Sequence, residues 1–448
     1  MSKQRTRKKG SYRQSKYPLE QPQLLAPPQE EAIPEMVKGL KRIVACLDLS
    51  ALESSYDDKG GFAYPPRLML AMLLFGLMDG ERSSRKLQEH CRYDVRYRYL
   101  MEGLEPDDRT IGRFRERLEG VLAALFTQVL ELARQEGLVK MQVVALDGTK
   151  VAGSLSQWKR VLAQAKETDV LESGGGTVTE SEARTMKTRR QGYVNGYNAQ
   201  VMVDAQSGVV LATHVSNQAA DSPHLPVMLE AVQETTGALP QVLLADKGYD
   251  SAENAQALEQ AHVQGYVHPR ETDEFWQVGE DGAIRCAAGE GLVKRDQYVH
   301  GTKLEVRWWV KGCPHCPRKA ECGVKTHKYL THPLGVDPAA RLRNAQRCRS
   351  SQGQALLRQR APSVEGFFGQ WKGNRDFRRF RVRGLERVNG ELRLECVSYN
   401  LRKVLVTFIG LFLALLRRQP PSLSDQKSPF IPNYRGRGLR RGQSSVLL

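Results

Sequence analysis

The sequence has little that suits a membrane protein. Its longest apolar run, VLVTFIGLFLALL, covers only residues 404–416, whereas a membrane-spanning helix needs about 20 apolar residues. We therefore interpret this run as a buried helix and expect no membrane partner. A secretory signal is not visible either, because the first residues, MSKQRTRKKGSYRQSKY, are polar and basic with no apolar segment behind them. Both absences lead us to expect a cytoplasmic protein.

Cysteine is also sparse, with eight residues in a chain of 448. Small secreted scaffolds held by disulfides are much richer in cysteine, and this chain shows no secretory signal. Reduced thiols or metal ligands are therefore favoured over disulfides.

Acidic residues are outnumbered by basic ones. The chain has 50 Asp and Glu against 67 Lys and Arg, which gives a net charge of +17, and 40% of it is hydrophobic, which is enough for a globular core. Such a balance favours a polyanionic partner, usually a nucleic acid and less often an acidic membrane surface. The alternative is a protein that is merely basic, but the charge is clustered, which argues against it.

Composition and periodicity divide the chain into six segments. They are a basic arm interpreted as disordered (1–41), a helical domain interpreted as DNA-binding (42–135), the first part of an α/β core (136–269), an insertion interpreted as holding zinc (270–350), the last core helices (351–416) and a basic tail interpreted as disordered (417–448). The helical segment combines apolar and basic faces. This pattern suits DNA binding, and taken alone it suits a solvated helical bundle equally well.

The α/β core is predicted from a change of pattern at Met141. Short apolar runs rich in β-branched residues indicate strands, and the polar segment 153–190 is interpreted as a loop. The strand candidates are MQVVALDG, YNAQVMVDA, GVVLATHVS, PQVLLADKGYDS and VQGYVHP. Helical patterns separate the later strands. Three consecutive strands followed by alternating helix and strand predict a mixed α/β sheet.

Two of these strands end in an aspartate, Asp147 in VVALDGT and Asp246 in VLLADKGYD. Open α/β sheets place ligands at such strand ends, and neighbouring strands would bring the two carboxylates within a few ångströms. Anionic groups that close repel unless a cation lies between them, and hard oxygen ligands favour Mg²⁺ or Mn²⁺. Glu365, on a later helix, would complete a three-carboxylate site for phosphodiester chemistry. An ordinary turn is the alternative for each strand end.

Basic residues follow Glu365 closely. Between Lys372 and Arg387 there are seven basic residues and two acidic ones, and such residues neutralise phosphates whatever the base sequence. Lys372 lies seven positions after Glu365, two helical turns along the same face. A solvated helix face is the alternative. The residues predicted to contact DNA are Arg360, Lys372, Arg375, Arg378 and Arg379.

The insertion contains a group of cysteines: Cys286, Cys313, Cys316 and Cys322. The Cys-x-x-Cys pair at 313–316 presents two thiolates to one metal, and four such ligands suit tetrahedral Zn²⁺. Nearby histidines are alternative ligands: His315, His327 and His332. The other interpretation is a set of reduced thiols packed in a small subdomain. A redox role is disfavoured, because the motif lacks a thioredoxin-like setting.

The sequence resembles the bacterial insertion-sequence transposases of the DDE class, which have an RNase H-like catalytic core. The resemblance covers about residues 45–405, including YPPRLMLAMLLFGLMDGERSSRKLQEHC in the helical part and FGQWKGNRDFRRFRVRGLERVNGELRLECVSYNLRKV near the end. It places the two catalytic aspartates of the family on Asp147, in ALDGTKV, and on Asp246, in LLADKGYDS. It places the catalytic glutamate on Glu365 and the following lysine on Lys372.

The sequence departs from some relatives just before Glu365. Those relatives have an arginine four residues before the glutamate, where this chain has Ala361, and Arg360 stands one residue earlier. A tyrosine is expected where this chain has Leu357. Asp221, in NQAADSPH, matches an acidic position common in the family and is interpreted either as support for the site or as a turn residue.

The resemblance implies a fold with a helical N-terminal domain, an RNase H-like α/β core and a Cys-containing insertion. It also implies a cut-and-paste transposase that uses Mg²⁺ or Mn²⁺ to cleave DNA at terminal inverted repeats and to join it to target DNA. A homodimer or larger assembly on DNA is implied as well, and with it an association with the bacterial nucleoid when DNA is bound.

Three other functions stay open on sequence grounds. The first is a catalytically inactive, transposase-derived DNA-binding regulator, against which the presence of all three acidic residues argues. The second is a nuclease that cuts without joining, and the third is a zinc-organised interaction module without chemistry. The sequence does not reveal the terminal repeats, the target site or the strand-processing route.

Overall fold

The computed structural model describes most of the chain. The described residues are 13, 30–56, 62–154, 180–188, 192–270, 275–300, 303–322, 326–374 and 377–417. Most of the predicted basic arm and the tail beyond residue 417 therefore lie outside the described residues. The described residues up to Thr407 belong to one compact unit.

The N-terminal part is helical. Its helices are α1 (Glu35–Cys46), α2 (Ser50–Ser54), α3 (Pro66–Met78), α4 (Ser84–Tyr93), α5 (Val95–Leu100), α6 (Asp108–Leu118) and α7 (Leu122–Gln135). Pro66 occupies the first turn of α3, where its missing N–H costs nothing. Asp107 caps α6 by accepting a hydrogen bond from the Thr110 backbone N–H at 2.7 Å. Helix α3 is buried nearly all round, as its apolar sequence predicts.

The helical part begins earlier than the predicted boundary at residue 42. Helix α1 starts at Glu35 and buries Val37, Leu40 and Val44 on one face. Those three residues have the three-to-four spacing of an amphipathic helix. The polar composition of the preceding arm obscured this stripe, so residues 35–41 belong to the helical part.

The core is a six-stranded mixed sheet of the RNase H-like type. Its strands are β1 (Val143–Ala152), β2 (Arg184–Thr188), β3 (Gly192–Asp204), β4 (Val210–Ser216), β5 (Val242–Ala245) and β6 (Gln264–Val267). Strand β3 pairs antiparallel with β1 on one side and with β2 and β4 on the other. Strands β1, β5 and β6 run parallel to one another. The predicted mixed sheet is confirmed.

One strand differs from the sequence interpretation. Strand β2 lies within the segment 153–190 that was predicted as a loop, and it pairs with the start of β3. Only Met186 of this strand is buried. A short strand with one buried apolar residue leaves almost no alternation in the sequence. Residues 155–179 of the same segment lie outside the described residues.

Two helices follow the sheet strands as predicted, α8 (His224–Thr236) and α9 (Ala252–Gln260). The insertion then forms small sheets of its own. Its elements are β7 (Trp276–Val278), β8 (Ile284–Cys286), β9 (Leu292–His300), β10 (Lys303–Val310), α10 (Lys319–Cys322) and β11 (Tyr329–Pro333). A separate small core of buried residues, Trp276, Cys286, Val310, Cys313, Leu330 and Leu342, holds it together.

The last elements are helices: α11 (Pro338–Arg349), α12 (Ser351–Gly369) and α13 (Leu385–Arg417), with a π-helical turn at Gln370–Asn374. Helix α11 was assigned to the insertion but belongs to the core. Its Asn344 side chain bonds both the N–H and the carbonyl of Val267 on the edge strand β6, at 3.0 and 2.8 Å. The insertion therefore ends before residue 338.

The N-terminal helices and the sheet share one continuous hydrophobic core. Leu74 of α3, for example, accepts a hydrogen bond at its backbone oxygen from the buried Ser398 hydroxyl of α13, at 3.2 Å. The helical part therefore packs directly against the sheet core. No helix within the described part of the chain combines the length and apolarity needed to cross a bilayer.

Candidate active site

Asp147 and Asp246 are brought side by side by strand register. Strands β1 and β5 are parallel neighbours, and their last paired residues are Leu146 and Ala245. Asp147 is the next residue within β1, and Asp246 directly follows the last residue of β5. Both carboxylates thus stand at the carboxyl end of β5, where open sheets place ligands. The prediction that β1 ends at Asp147 is wrong, because the strand continues to Ala152. The register of β1 and β5 still makes the two aspartate positions neighbours.

The Asp147 carboxylate is held by two donors. The Arg360 guanidinium of α12 donates to its Oδ2 at 3.2 Å, and the Gly148 backbone N–H donates to its Oδ1 at 2.8 Å. Burial nevertheless raises the pKa of Asp147 above its usual value, and the charge of Asp246 adds to the rise, while Arg360 and the Gly148 N–H oppose it. Because burial and the neighbouring Asp246 both disfavour the charged form of Asp147, a cation bound between the two carboxylates would stabilise them.

Asp246 begins a tight turn. Its Oδ1 accepts the Gly248 backbone N–H at 2.8 Å, so the side chain caps the short 3₁₀ turn Lys247–Tyr249. This bond fixes one carboxylate oxygen close to the end of β5. The Asp-x-Gly spacing in the sequence reflects this turn.

Glu365 lies on the helix whose Arg360 contacts Asp147. It lies on α12, five residues after Arg360 and next to the buried Val364, and its own side chain is exposed. In the described part of the chain, no three His, Cys, Asp or Glu side chains stand close enough together to hold a metal ion. The structure thus pairs the aspartates and leaves the glutamate on the neighbouring helix.

Lys372 reaches the same strand as Asp147. It donates to the Thr149 hydroxyl and, at 3.4 Å, to the Lys150 carbonyl. Thr149 and Asp147 lie on the same face of β1, because side chains alternate along a strand. Burial lowers the pKa of Lys372, and the charge of Asp147 counteracts part of this effect. Lys372 thus flanks the carboxylate pair.

The basic segment after α12 is anchored to the end of β1. The Ala152 N–H donates to the Arg378 carbonyl at 3.3 Å, and the Phe380 N–H donates to the Ala152 carbonyl at 2.9 Å. Phe377 and Phe380 are buried, whereas the side chains of Arg378 and Arg379 are exposed. Arg375 lies outside the described residues.

Arg82, in the helical part, also contacts this basic segment. Arg82, which follows α3, donates to the Arg379 carbonyl at 3.1 Å and stacks over the Phe377 ring at 3.7 Å. It also forms ion pairs with Glu391 and, at 3.1 Å, with Glu395 of α13. Residues 377–380 of the basic segment are therefore held both by β1 and by the helical part.

A polar network beside the aspartates was largely missed by the sequence interpretation. Asp221 accepts hydrogen bonds from Lys150, Asn198 and Gln200, and the Tyr249 hydroxyl donates to Gln200. Asn198, Gln200 and Tyr249 are fully buried. The available signal was the pair of amides at Asn198 and Gln200, two polar residues at alternate positions among the mostly apolar residues 197–203.

The four cysteines of the insertion line one small cavity of about 20 Å³, together with Lys328 and other residues. The Lys328 backbone N–H donates to the Cys313 sulfur at 3.3 Å. Of the alternative ligands, His332 accepts a bond from the Trp308 indole at 2.8 Å, and the His327 ring lies 3.2 Å from the Val310 carbonyl. The four cysteines thus line one cavity, although within the described residues they do not form a ready-made group of three metal ligands.

Two models of known protein families match the chain. The family model described as the transposase DDE domain matches residues 139–401. The chain belongs to the DDE transposase family. A second model, the transposase domain (DUF772), matches residues 28–117, which include the N-terminal helices α1 to α5 and most of α6. The transposase is therefore assigned over both its helical part and its sheet core.

Two solved structures are similar to the transposase, both with low sequence identity and low TM-scores. One is the piggyBac transposase in a synaptic complex with hairpin DNA, at 11% identity and a TM-score of 0.31, covering 89% of this chain and 81% of that one. The other is the Mos1 transposase paired-end complex with the left transposon end, at 11% identity and a TM-score of 0.17, covering 47% of this chain and 61% of that one. No curated protein matches the chain in sequence. The assignment rests on the family models.

Proposed function

We propose that this transposase cleaves DNA at the ends of its element and joins the freed ends to target DNA, with Asp147, Asp246 and Glu365 as its catalytic carboxylates. The observation that carries the proposal is the register of β1 and β5, which sets two aspartates side by side at a strand end. The family resemblance adds terminal inverted repeats as the substrate and a homodimer or larger assembly as the working form.

The residues present fit a divalent cation. Asp147 and Asp246 supply hard oxygen ligands. Burial raises the pKa of Asp147 and the charge of Asp246 adds to the rise, and a cation between the two carboxylates would oppose both effects. They would hold Mg²⁺ or Mn²⁺. When bound, the metal supplies activation of a water or 3′-hydroxyl nucleophile and stabilisation of the leaving oxygen.

The chain's own residues then have separate tasks. Asp147 and Asp246 hold their carboxylates at the end of β5, oriented by the Gly148 and Gly248 N–H groups. Arg360 neutralises Asp147 while no metal is bound. Glu365 joins the pair through an adjustment of α12, since catalytic contacts often tighten only when substrate is bound.

DNA phosphates are bound by basic residues attached to β1, the strand that carries Asp147. Lys372 donates a hydrogen bond to Thr149, which lies two residues after Asp147 on β1. The exposed guanidinium groups of Arg378 and Arg379 lie on a segment anchored to the end of β1. These residues would hold the backbone next to the cleaved phosphodiester.

A cleavage and joining assay tests this function. Labelled DNA carrying the ends of the element is incubated with the wild-type chain and a target plasmid, in Mg²⁺ or in EDTA. We expect cleaved ends and joined products only with Mg²⁺, and neither product with Glu365→Gln. Cleavage without joining would support a nuclease, and DNA binding without cleavage would overturn the enzyme assignment.

We also propose a structural Zn²⁺ in the insertion, bound by Cys286, Cys313, Cys316 and Cys322. The support is that all four line one cavity and that Cys313 already accepts a backbone N–H, as thiolate ligands do. Elemental analysis of the purified chain is the test. We expect about one zinc per chain and its loss with Cys316→Ser; a zinc-free chain purified without chelators would contradict it.

A further inference from the structure

Asp221 approaches the aspartate pair from the opposite face of the sheet. It lies between β4 and α8, and its Oδ1 accepts hydrogen bonds from Lys150 Nζ at 2.8 Å, Asn198 Nδ2 at 2.8 Å and Gln200 Nε2 at 3.0 Å. Lys150 alternates with Thr149 along β1, so it faces away from α12. One carboxylate oxygen of Asp221 is thus fully engaged on that face.

Gly148 has no side chain on this face, and this lets Gln200 and Asp221 approach β1 next to Asp147. A Cβ atom at position 148 would stand 2.2 Å from Gln200 Nε2 and 3.0 Å from Asp221 Oδ1. Gln200 is opposite Gly148 in the antiparallel pair. The missing side chain therefore leaves the space in which the Gln200 amide and the Asp221 carboxylate meet.

Gly248 leaves a second space, between two carboxylates. A Cβ atom there would stand 2.9 Å from Asp246 Oδ1 and 3.2 Å from Asp221 Oδ2. Asp246 and the free side of Asp221 thus face one common gap. Tyr249, next in the chain, is buried and donates to Gln200, so the turn after Asp246 is tied to the network that holds Asp221.

We propose that Asp221 is a positioning residue for the cation site at Asp246: it sets a third negative charge against that carboxylate, and Lys150 holds it in place. The inference rests on the proposed function, because it concerns the same metal site. Asp221 acts through its negative charge and through its position across the gap from the Asp246 carboxylate. It is not required to ligate the metal itself.

The two members of the ion pair then have opposite effects on a bound cation. Asp221→Asn removes a negative charge from the gap and keeps the shape of the side chain, so Mn²⁺ binding weakens. Lys150→Met removes a positive charge next to the gap, so Mn²⁺ binding strengthens. A purely structural ion pair predicts shifts of the same sign, because either variant breaks the same contact.

Mn²⁺ titration of the full chain, followed by the electron paramagnetic resonance signal of free Mn²⁺, is the experiment. We expect the dissociation constant to rise about 10- to 100-fold with Asp221→Asn, as for other residues that support metal ligands, and to fall by about 3-fold or more with Lys150→Met. Glu230→Gln, which removes an exposed charge from α8, is the matched control and should leave binding unchanged.

The outcomes separate this inference from the proposed function. Asp246→Asn must abolish tight Mn²⁺ binding; if it does not, the metal site itself is wrong. If Asp246→Asn weakens binding and Asp221→Asn does not, only the role of Asp221 is overturned. Circular dichroism monitors folding, and if Asp221→Asn does not fold, Lys150→Met decides: tighter binding supports the role, and unchanged or weaker binding overturns it.

Discussion

Arg360 forms a hydrogen bond through its Nη1 to Asp147 Oδ2 at 3.2 Å, with both side chains about three-quarters buried. The sequence resemblance predicts an arginine at position 361, as in some relatives, whereas this chain has Ala361 there and Arg360 one residue earlier. One residue is about 100° around a helix. The contact is nevertheless made, so the position of Arg360 on α12 still points its guanidinium at the first aspartate.

Arg360→Gln should cost stability in a pH-dependent way. Asp147 already has a raised pKa, and loss of Arg360 raises it further. The variant should therefore be less stable than wild type by about 1 kcal/mol at pH 7, where Asp147 is ionised. The deficit should shrink as the pH falls through the raised pKa and Asp147 becomes protonated in both proteins. Urea unfolding at pH 7 and pH 4 measures it, and an equal deficit at both values would contradict the account.

Gly148→Ala should disrupt the network between the sheet faces. Its Cβ atom would overlap the Gln200 amide, so we expect a loss of about 1–3 kcal/mol in the free energy of unfolding. Gly112→Ala is the control, since that helical glycine has nothing within 4 Å of a new Cβ. It should be neutral or stabilising by up to about 1 kcal/mol. Denaturant unfolding compares them, and equal effects would argue against the close approach at Gly148.

Arg82→Met should loosen the contact between the helical part and α13. The side chains of Arg82 and Glu395 are 6% and 2% exposed, so removal of the arginine leaves buried acidic groups without it and should cost about 3 kcal/mol. The double variant with Glu395→Gln should recover part of that loss. Arg134→Ala, which breaks an exposed pair with Glu131, should leave the unfolding midpoint nearly unchanged. A similar small effect for Arg82→Met would show that this contact does not stabilise the fold.

Arg379→Ala should weaken DNA binding without regard to sequence. The side chain is exposed on a segment anchored to β1, and a lost phosphate contact reduces the slope of log affinity against log salt by about 1. Fluorescence anisotropy over a salt series, on end DNA and on unrelated DNA, measures this slope. An effect on end DNA alone would instead assign base readout to Arg379.

The sequence was sufficient for the sheet and for the two aspartates. Each of these depends on a local signal, an apolar β-branched run followed by Asp, and the pairing of β1 with β5 then makes the two positions neighbours. The sequence did not show that β1 continues to Ala152. The boundaries at residues 42 and 350 were less well predicted, because α1 and α11 begin in polar surroundings although they bury apolar faces. Strand β2 was missed, since Met186 is its single buried side chain.

The network of Asp221 could not be predicted from local patterns. Its partners come from β1 and β3, and Tyr249 follows β5, so they are distant in sequence and meet only through strand register. The two glycines that make room for it, Gly148 and Gly248, look like ordinary turn residues in the sequence. The same holds for Arg82, whose partners Glu391 and Glu395 are about 310 residues away.

The central claim is that Asp147 and Asp246 work as one unit in DNA cleavage. The most direct test is single-turnover cleavage of end DNA in Mg²⁺ by Asp147→Asn, Asp246→Asn and the double variant, with DNA binding measured in parallel. The account predicts that each single variant loses about 10³-fold or more in rate and that the double variant is no worse, because groups that act together are not additive. A single variant that binds DNA normally and keeps more than about a tenth of the wild-type rate, well outside that loss, would contradict it.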